Sequence, residues 1–253
     1  MVMGIEGRAK RAAMVLLSVL ALAMPATAET LLIFGDDAYA PVLFQRPGGI
    51  PDGALAQTLR RAERLTGDRY ELQLMPWKRA YELARRGDGG LIGVSHTQER
   101  AAIFDYSKPM YDDDIRIVVV KGREFAFSEL SDLKGKLLGG VRGASYGETV
   151  DKAIATGLLK VDRDIGQVSR LRKVLAGRLD AALIGNGQAG LDAVIDSHAE
   201  LQENRDKFVV LDKPLARDPL YLAFPKQLGK SEALGRFNEA LDKLRREAAK
   251  PVR

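Results

Sequence analysis

Short apolar runs that stop at glycine alternate with amphipathic stretches along most of the chain. Leu31-Leu32-Ile33-Phe34, halted by Gly35, predicts a buried strand. From Leu55 to Leu65 the apolar residues fall at 55, 59, 62 and 65, the spacing of an amphipathic helix, and Gly67 closes it. Tyr70 to Met75 alternates as a strand, Arg79 to Arg86 is helical up to Gly87, and Leu91-Ile92-Gly93-Val94 is a further buried strand. This strand–helix–strand–helix–strand order predicts a largely parallel sheet covered by helices. Ile115 to Val120 is strongly β, and after Lys121 the pattern starts again. It predicts a strand at 137–141, a helix at 146–155, a short strand at Gln167-Val168, a helix at 169–176 and a strand at 181–184. Strands follow at 208–211 and 221–224, then a closing helix, Ser231 to Ala248, with Ser231 as its N-cap. Two similar α/β halves fit either one doubly wound domain or two lobes, and the pattern alone leaves both open.

A length of 253 residues permits one large domain or two small ones, each with its own core. Residues 1–28 differ from the rest. Arg8, Lys10 and Arg11 precede a run from Ala12 to Met24 whose one polar member is Ser18, and Ala26-Thr27-Ala28 has the small-x-small form of a cleavage site. This is the layout of a secretory signal peptide cut after Ala28, and the run is short for a membrane span. Losing three basic residues and one acidic one leaves a mature charge of +3, from 39 basic and 34 acidic residues in the whole chain. That balance is mild and interspersed, which argues against a nucleic-acid partner. The chain has no Cys, which excludes disulfides, thiolate metal sites and a Cys nucleophile. With only His96 and His198, a His-rich metal centre is excluded as well.

Several segments carry a resemblance. Ser95-His96-Thr97-Gln98-Glu99-Arg100 followed by Ser107-Lys108-Pro109-Met110-Tyr111 resembles the Ser-x-Thr-x-x-Arg and Ser-x-Pro-Tyr elements of the extracellular solute-binding proteins, family 3, of polar amino-acid transporters. Asp36-Asp37-Ala38-Tyr39-Ala40-Pro41, Gly53 to Leu59, Leu130 to Gly147 and Gly177-Arg178-Leu179-Asp180-Ala181 match other parts of that family in order and spacing, over about residues 31–248.

The resemblance implies the α/β type II periplasmic binding fold, in which two lobes, each a mostly parallel sheet flanked by helices, enclose a ligand cleft. It puts a first crossing near Val118–Gly122 and the return near Leu211–Asp218. Lobe one is then 29–119 with 214–253, and lobe two is 120–213. It sets Arg100 on a ligand carboxylate, which a planar guanidinium holds with two parallel bonds. Ser95 and Thr97 offer hydroxyls at the end of a buried strand, although Thr97 also suits a helix cap. Ser145, in a Gly-rich turn, is the matching anchor from lobe two, and Tyr39 and Trp77 are the aromatic walls. Many relatives carry an Asp soon after the "LDA" turn for the ligand's ammonium. Here Gly185 or Asn186 stands there. Either Asp36 or Asp37 substitutes, or the ligand has no ammonium. His96 is expected to face away from the cleft, and Asp112-Asp113-Asp114 to form a solvated loop.

The implied function is a periplasmic receptor, a monomer without cofactor or metal, that binds a small amino acid or related carboxylate by hinge closure and passes it to the membrane permease of an ABC transporter. An enzyme of dehydratase or lyase type on the same fold is the alternative, with Glu99, Asp36 or His96 as its acid or base.

Overall fold

The computed structural model describes residues 28–250, so the expected leader lies outside the described residues apart from Ala28. The described residues open with β1 (Thr30–Asp36), a small three-stranded sheet of β2 (Ala38–Tyr39), β3 (Leu43–Arg46) and β4 (Ile50–Asp52), then α1 (Ala54–Thr66) and β5 (Arg69–Met75). Next come α2 (Trp77–Arg86), β6 (Gly90–Ser95), the short α3 (Gln98–Ala101) and β7 (Phe104–Tyr106). Both α1 and α2 end on a left-handed glycine, Gly67 and Gly87, whose amide returns to a carbonyl of the last turn. In the first lobe β1 pairs in parallel with β5 and β6. Leu31, Ile33, Leu55, Leu59, Phe237 and Leu241 build the core on one face of this sheet, and Phe34, Trp77, Leu91 and Phe104 the core on the other.

The long strand β8 (Tyr111–Val120) leads into the second lobe. It continues through β9 (Leu137–Val141), α4 (Glu148–Ala155), β10 (Lys160–Asp164), α5 (Gln167–Leu175), β11 (Ala181–Ile184), α6 (Gly187–Asp196), α7 (Ala199–Gln202) and β12 (Phe208–Val210). Strand β9 lies between β10 and β11, parallel to both. Apolar residues of α4, α5 and α6 cover the two faces. Strand β13 (Ala216–Pro225) returns to the first lobe, and α8 (Ser231–Ala248) packs against α1. Arg236 of α8 grips Asp68 with two bonds of 2.9 Å and reaches Glu29, which ties the chain's end to the start of β1.

Strands β8 and β13 are the two crossings, and they pair with each other. Residues 111–115 of β8 run antiparallel to 216–220 of β13, and from Arg116 onward β8 pairs with β11 and then β12. The expected first crossing, Val118–Gly122, lies C-terminal to that change of partner. In this ladder Asp113 stands directly opposite Asp218.

Three local expectations differ from the structure, and one helix was not expected at all. Gln167-Val168 is the first turn of α5, and the strand is β10, which begins seven residues earlier at Lys160. Its sequence, Lys160-Val161-Asp162-Arg163-Asp164, is too polar to announce an edge strand. Ser231 is the first helical residue of α8 rather than its cap, and makes no capping bond. The acidic triplet is no solvated loop. It lies within β8, where pleating exposes Asp112 and buries Asp113 to 2% exposure. Helix α6 was unannounced because Asn186-Gly187-Gln188-Ala189-Gly190 has the composition of a loop.

Candidate functional site

A cleft of about 750 Å³, open side included, lies between the lobes and is lined by both. The first lobe supplies Asp36 at the end of β1, Tyr39 of β2, Trp77 at the start of α2 and Ser95 at the end of β6. These positions follow from topology: the parallel strands β1 and β6 direct their carboxyl ends at the crevice. The second lobe supplies Ser145, Tyr146, Gln167, Arg170 and Gly185, and the crossing strands contribute Asp113 and Asp218. Apolar side chains such as Leu43, Ile92 and Leu183 complete the walls.

Of the residues singled out from sequence, Asp36, Tyr39, Trp77, Ser95 and Ser145 line this cleft, while Arg100, Thr97 and Asn186 do not. Ser95 donates to Asp218 at 2.5 Å. Ser145 donates to Asp151 and accepts from the Gly147 amide. Thr97 caps α3 by accepting from the Arg100 amide. Asn186 adopts a left-handed conformation at the start of α6 and accepts from the Tyr111 hydroxyl. Arg100 is buried, with only 6% of it exposed. Its guanidinium lies over Trp77 and Tyr81, 5.9 and 5.1 Å from the ring centres. It donates to the Ser95 carbonyl at 3.3 Å and to the Gly143 carbonyl at 3.2 Å. The Trp77 indole also donates to the Gly143 carbonyl, at 3.0 Å. One carbonyl of the second lobe thus receives two donors from the first. His96 is exposed and stacks near Tyr106 and Tyr221, outside the cleft lining.

Asp113, Asp218, Gln167 and Arg170 were not foreseen as site residues. A signal for the first two existed. The inward positions 115, 117 and 119 of β8 extend backward by two to Asp113, and 220 and 222 of β13 extend backward to Asp218. Asp113 accepts from the Tyr39 hydroxyl and from the Asn186 amide at 2.5 Å. Gly185 is tied to this pair. A Cβ there would overlap the Tyr39 hydroxyl and come within 2.8 Å of the Asp113 carboxylate, so Asp113 and Tyr39 fill the space a side chain at 185 would take.

The electrostatics are one-sided. Burial pushes the Asp36 carboxyl up to about 7, against the lowering effect of the Ala38 amide. Burial likewise pushes Asp218 up to about 7, opposed by Ser95 and reinforced by the facing Asp113. Asp113 is raised by burial too, despite its bonds from Tyr39 and Asn186. Burial and the Asp113 charge push the Tyr39 hydroxyl well above its ordinary value. Arg170 lines the cleft but is committed elsewhere. Its Nε and Nη2 hold both oxygens of Asp164 at 3.2 and 2.8 Å, and its Nη1 donates to the Leu183 carbonyl. Among the described residues, no group of three or more His, Asp or Glu side chains is placed to hold a metal ion, and no helix is long and apolar enough to cross a membrane.

Two α/β lobes joined by two paired strands, with a concave site between them, define a two-lobed binding protein. The chain belongs to the bacterial extracellular solute-binding proteins, family 3, whose pattern it matches over residues 31–249. It is 27% identical over 223 residues to the L-cystine-binding protein TcyJ of Escherichia coli (strain K12), covering 86% of this chain and 78% of that one. It is also 27% identical over 165 residues to the L-arginine-binding protein of Pseudomonas aeruginosa, covering 64% and 61%. An ancestral arginine-binding protein bound to arginine superposes with a TM-score of 0.71 at 24% identity, over 87% of this chain and 93% of that one. The ancestral amino acid-binding protein AncCDT-1, a precursor of cyclohexadienyl dehydratase, superposes with 0.66 at 22% identity, over 87% and 91%. These superpositions show the shared fold.

Proposed function

We propose that this protein is exported with cleavage after Ala28, works as a monomer, binds a small amino acid or related solute between its lobes, and hands it to the permease of an ABC transporter without altering it. The observation that carries this is a cleft walled by both lobes and floored by the strands that join them. A site divided in this way is completed only when the lobes approach, so binding energy favours closure. We divide the lobes within the β8–β13 ladder, near Ile115–Arg116 and Leu215–Ala216, where the strands exchange partners. The relatives that bind L-cystine and L-arginine support an amino-acid class of ligand. Arg100 is the group we assign to a ligand carboxylate. It forms no ion pair among the described residues and lies at the seam, bonded only to neutral carbonyls through its side chain. Its guanidinium can exchange those partners for a charged one.

The enzyme reading draws on one observation: Asp36 and Asp218 hold protons to about pH 7, a range useful for acid–base work. Glu99 and His96, its other candidates, are exposed and away from the cleft lining. A thermal-shift screen of amino acids, small carboxylates and amines, followed by scattering, tests the receptor. The expected result is a raised melting temperature and a smaller radius of gyration with the solute that binds. An unchanged radius at saturation refutes closure, and a new product in the proton spectrum of the bound solute establishes the enzyme.

A further inference from the structure

The balance of charge in the cleft points to a more specific solute. Asp113 and Asp218 face each other across an antiparallel ladder, an arrangement that repels when both are ionised. Both are buried, at 2% and 5% exposure, and both line the cleft. The hydroxyls of Tyr39 and Ser95 and the amide of Asn186 satisfy some of their oxygens, but none of these donors is charged. Asp36 is a third carboxylate in the same cleft. Beside it lies Gln167, 5% exposed. Its Nε2 reaches the Ala38 carbonyl at 3.5 Å, and its Oε1 is buried without any partner. Asp36 receives the Ala38 amide, so Asp36 and Gln167 flank the same residue.

An orphaned buried acceptor destabilises the protein until something donates to it. A buried carboxylate demands a positive partner still more strongly. Among the described residues Arg170 is the one basic side chain that lines the cleft, and it is paired with Asp164. The Arg100 charge also reaches Asp218, but Arg100 lies outside the lining, bonded to two carbonyls. The acceptors are spread over the cleft rather than converging on a point, which suits an organic cation better than a metal ion.

Resting on the receptor function proposed above, we infer that the cleft selects a solute of net positive charge, with one ammonium or guanidinium group set on Asp113 and Asp218 and a second N–H donor group on Asp36 and Oε1 of Gln167. The apolar walls then cover the carbon chain between them. Gly185 belongs to this arrangement. The missing side chain leaves room for Asp113 and Tyr39, so the carboxylate comes from a crossing strand instead of from the turn after β11.

Calorimetry on the purified protein with L-lysine, L-arginine and putrescine, against L-glutamine and L-glutamate, tests this directly. At least one of the three cations is expected to bind, and to outcompete glutamine and glutamate by tenfold or more. Asp113→Asn and Asp218→Asn, which keep shape and remove charge, are each expected to weaken that cation about 30-fold or more, the loss on breaking a buried charge pair. Gln167→Leu is expected to weaken it by about fivefold or more, as loss of a single acceptor would. Equal or tighter binding of glutamine or glutamate overturns the inference, as does undiminished cation affinity in both Asn variants. If a variant does not fold, the wild-type panel alone decides. A neutral or acidic solute that binds and closes the lobes overturns the cation but leaves the receptor standing. Failure of every solute in the wider screen removes both.

Discussion

Asp218→Asn separates what is good for the fold from what is good for the ligand. The folded protein keeps the Asp218 proton up to about pH 7, whereas an ordinary Asp releases it near 3.8. Between those values the folded state binds more protons than the unfolded one, so stability falls as pH rises through that window. Above it the full cost of a buried, unpaired carboxylate is present, ~4 kcal/mol from the gap between the two values. Asparagine fills the same space and still accepts from Ser95, but cannot ionise. Weaker bonding from Ser95 and a new amide N–H to satisfy return about 2 kcal/mol of that gain. The empty variant is therefore expected to be more stable than wild type by ~2 kcal/mol at pH 8, or ~4–8 °C in melting temperature for a chain of this size. Near pH 5, where the wild-type carboxyl is already protonated, the advantage vanishes or reverses. Differential scanning calorimetry at both pH values is the assay. A variant melting below wild type by the same amount at pH 5 and pH 8 would refute the argument, since its loss would then be one of packing.

The affinity for whichever of the three cations binds is expected to fall about tenfold or more from pH 8 to 5.5, because Asp36 and Asp218 must lose protons to hold a cation. The charged groups around them are Asp37 and Arg170 for Asp36, and Asp113, Arg100 and Asp151 for Asp218. Titration calorimetry in buffers of different ionisation heat counts the protons released, and a flat profile contradicts the assignment. Arg100→Ala is expected to weaken binding of an amino acid about 30-fold or more, with Arg100→Lys recovering part. Because Arg100 is buried against two carbonyls, the Ala variant also loses about 1–3 kcal/mol of stability, visible in denaturant melts. Wild-type affinity in that variant would remove Arg100 from the site. Arg170→Ala leaves Asp164 buried without its partner and is expected to cost about 3–5 kcal/mol, measured by urea unfolding. Gly185→Ala forces Tyr39 from Asp113 and is expected to cost about 1–3 kcal/mol. Adding Tyr39→Phe recovers part of that loss, and the absence of any rescue would place the strain elsewhere.

The architecture was legible wherever burial dictated residue type. β1, β6 and β11 are buried on both faces, so their sequences read as unbroken apolar runs. α8 was legible over its length, though not in its cap, because one face must meet α1. β10 and α6 were not, since an edge strand rich in charge and a helix opening on glycines carry signals that only tertiary packing overrules. At the site, Asp36, Tyr39, Trp77, Ser95 and Ser145 were within reach because they sit at strand ends or in turns with recognisable neighbours. Asp113 and Asp218 were hidden by their surroundings in sequence. Three consecutive aspartates suggest a wet loop, and Arg217-Asp218-Pro219 suggests a turn. Only the strand pairing reveals that alternate members face inward. Arg100 shows a different limit: sequence indicated the residue and not its burial, which depends on a carbonyl in the other lobe.

The pairing of β8 with β13 has a kinetic consequence. If the lobes swing about this two-stranded ladder, residues on the ladder itself move least, and Asp113 and Asp218 lie on it. The acidic pair is then already in place when the jaws are apart, while Tyr39, Trp77 and Ser145 reach their final spacing only when the jaws meet. Capture and retention then draw on different parts: charge on the axle sets how fast a cation is caught, and the acidic pair together with the closing walls sets how long it stays. Salt would slow the arrival of the solute far more than it would hasten its escape, and substitutions in the walls would do the opposite.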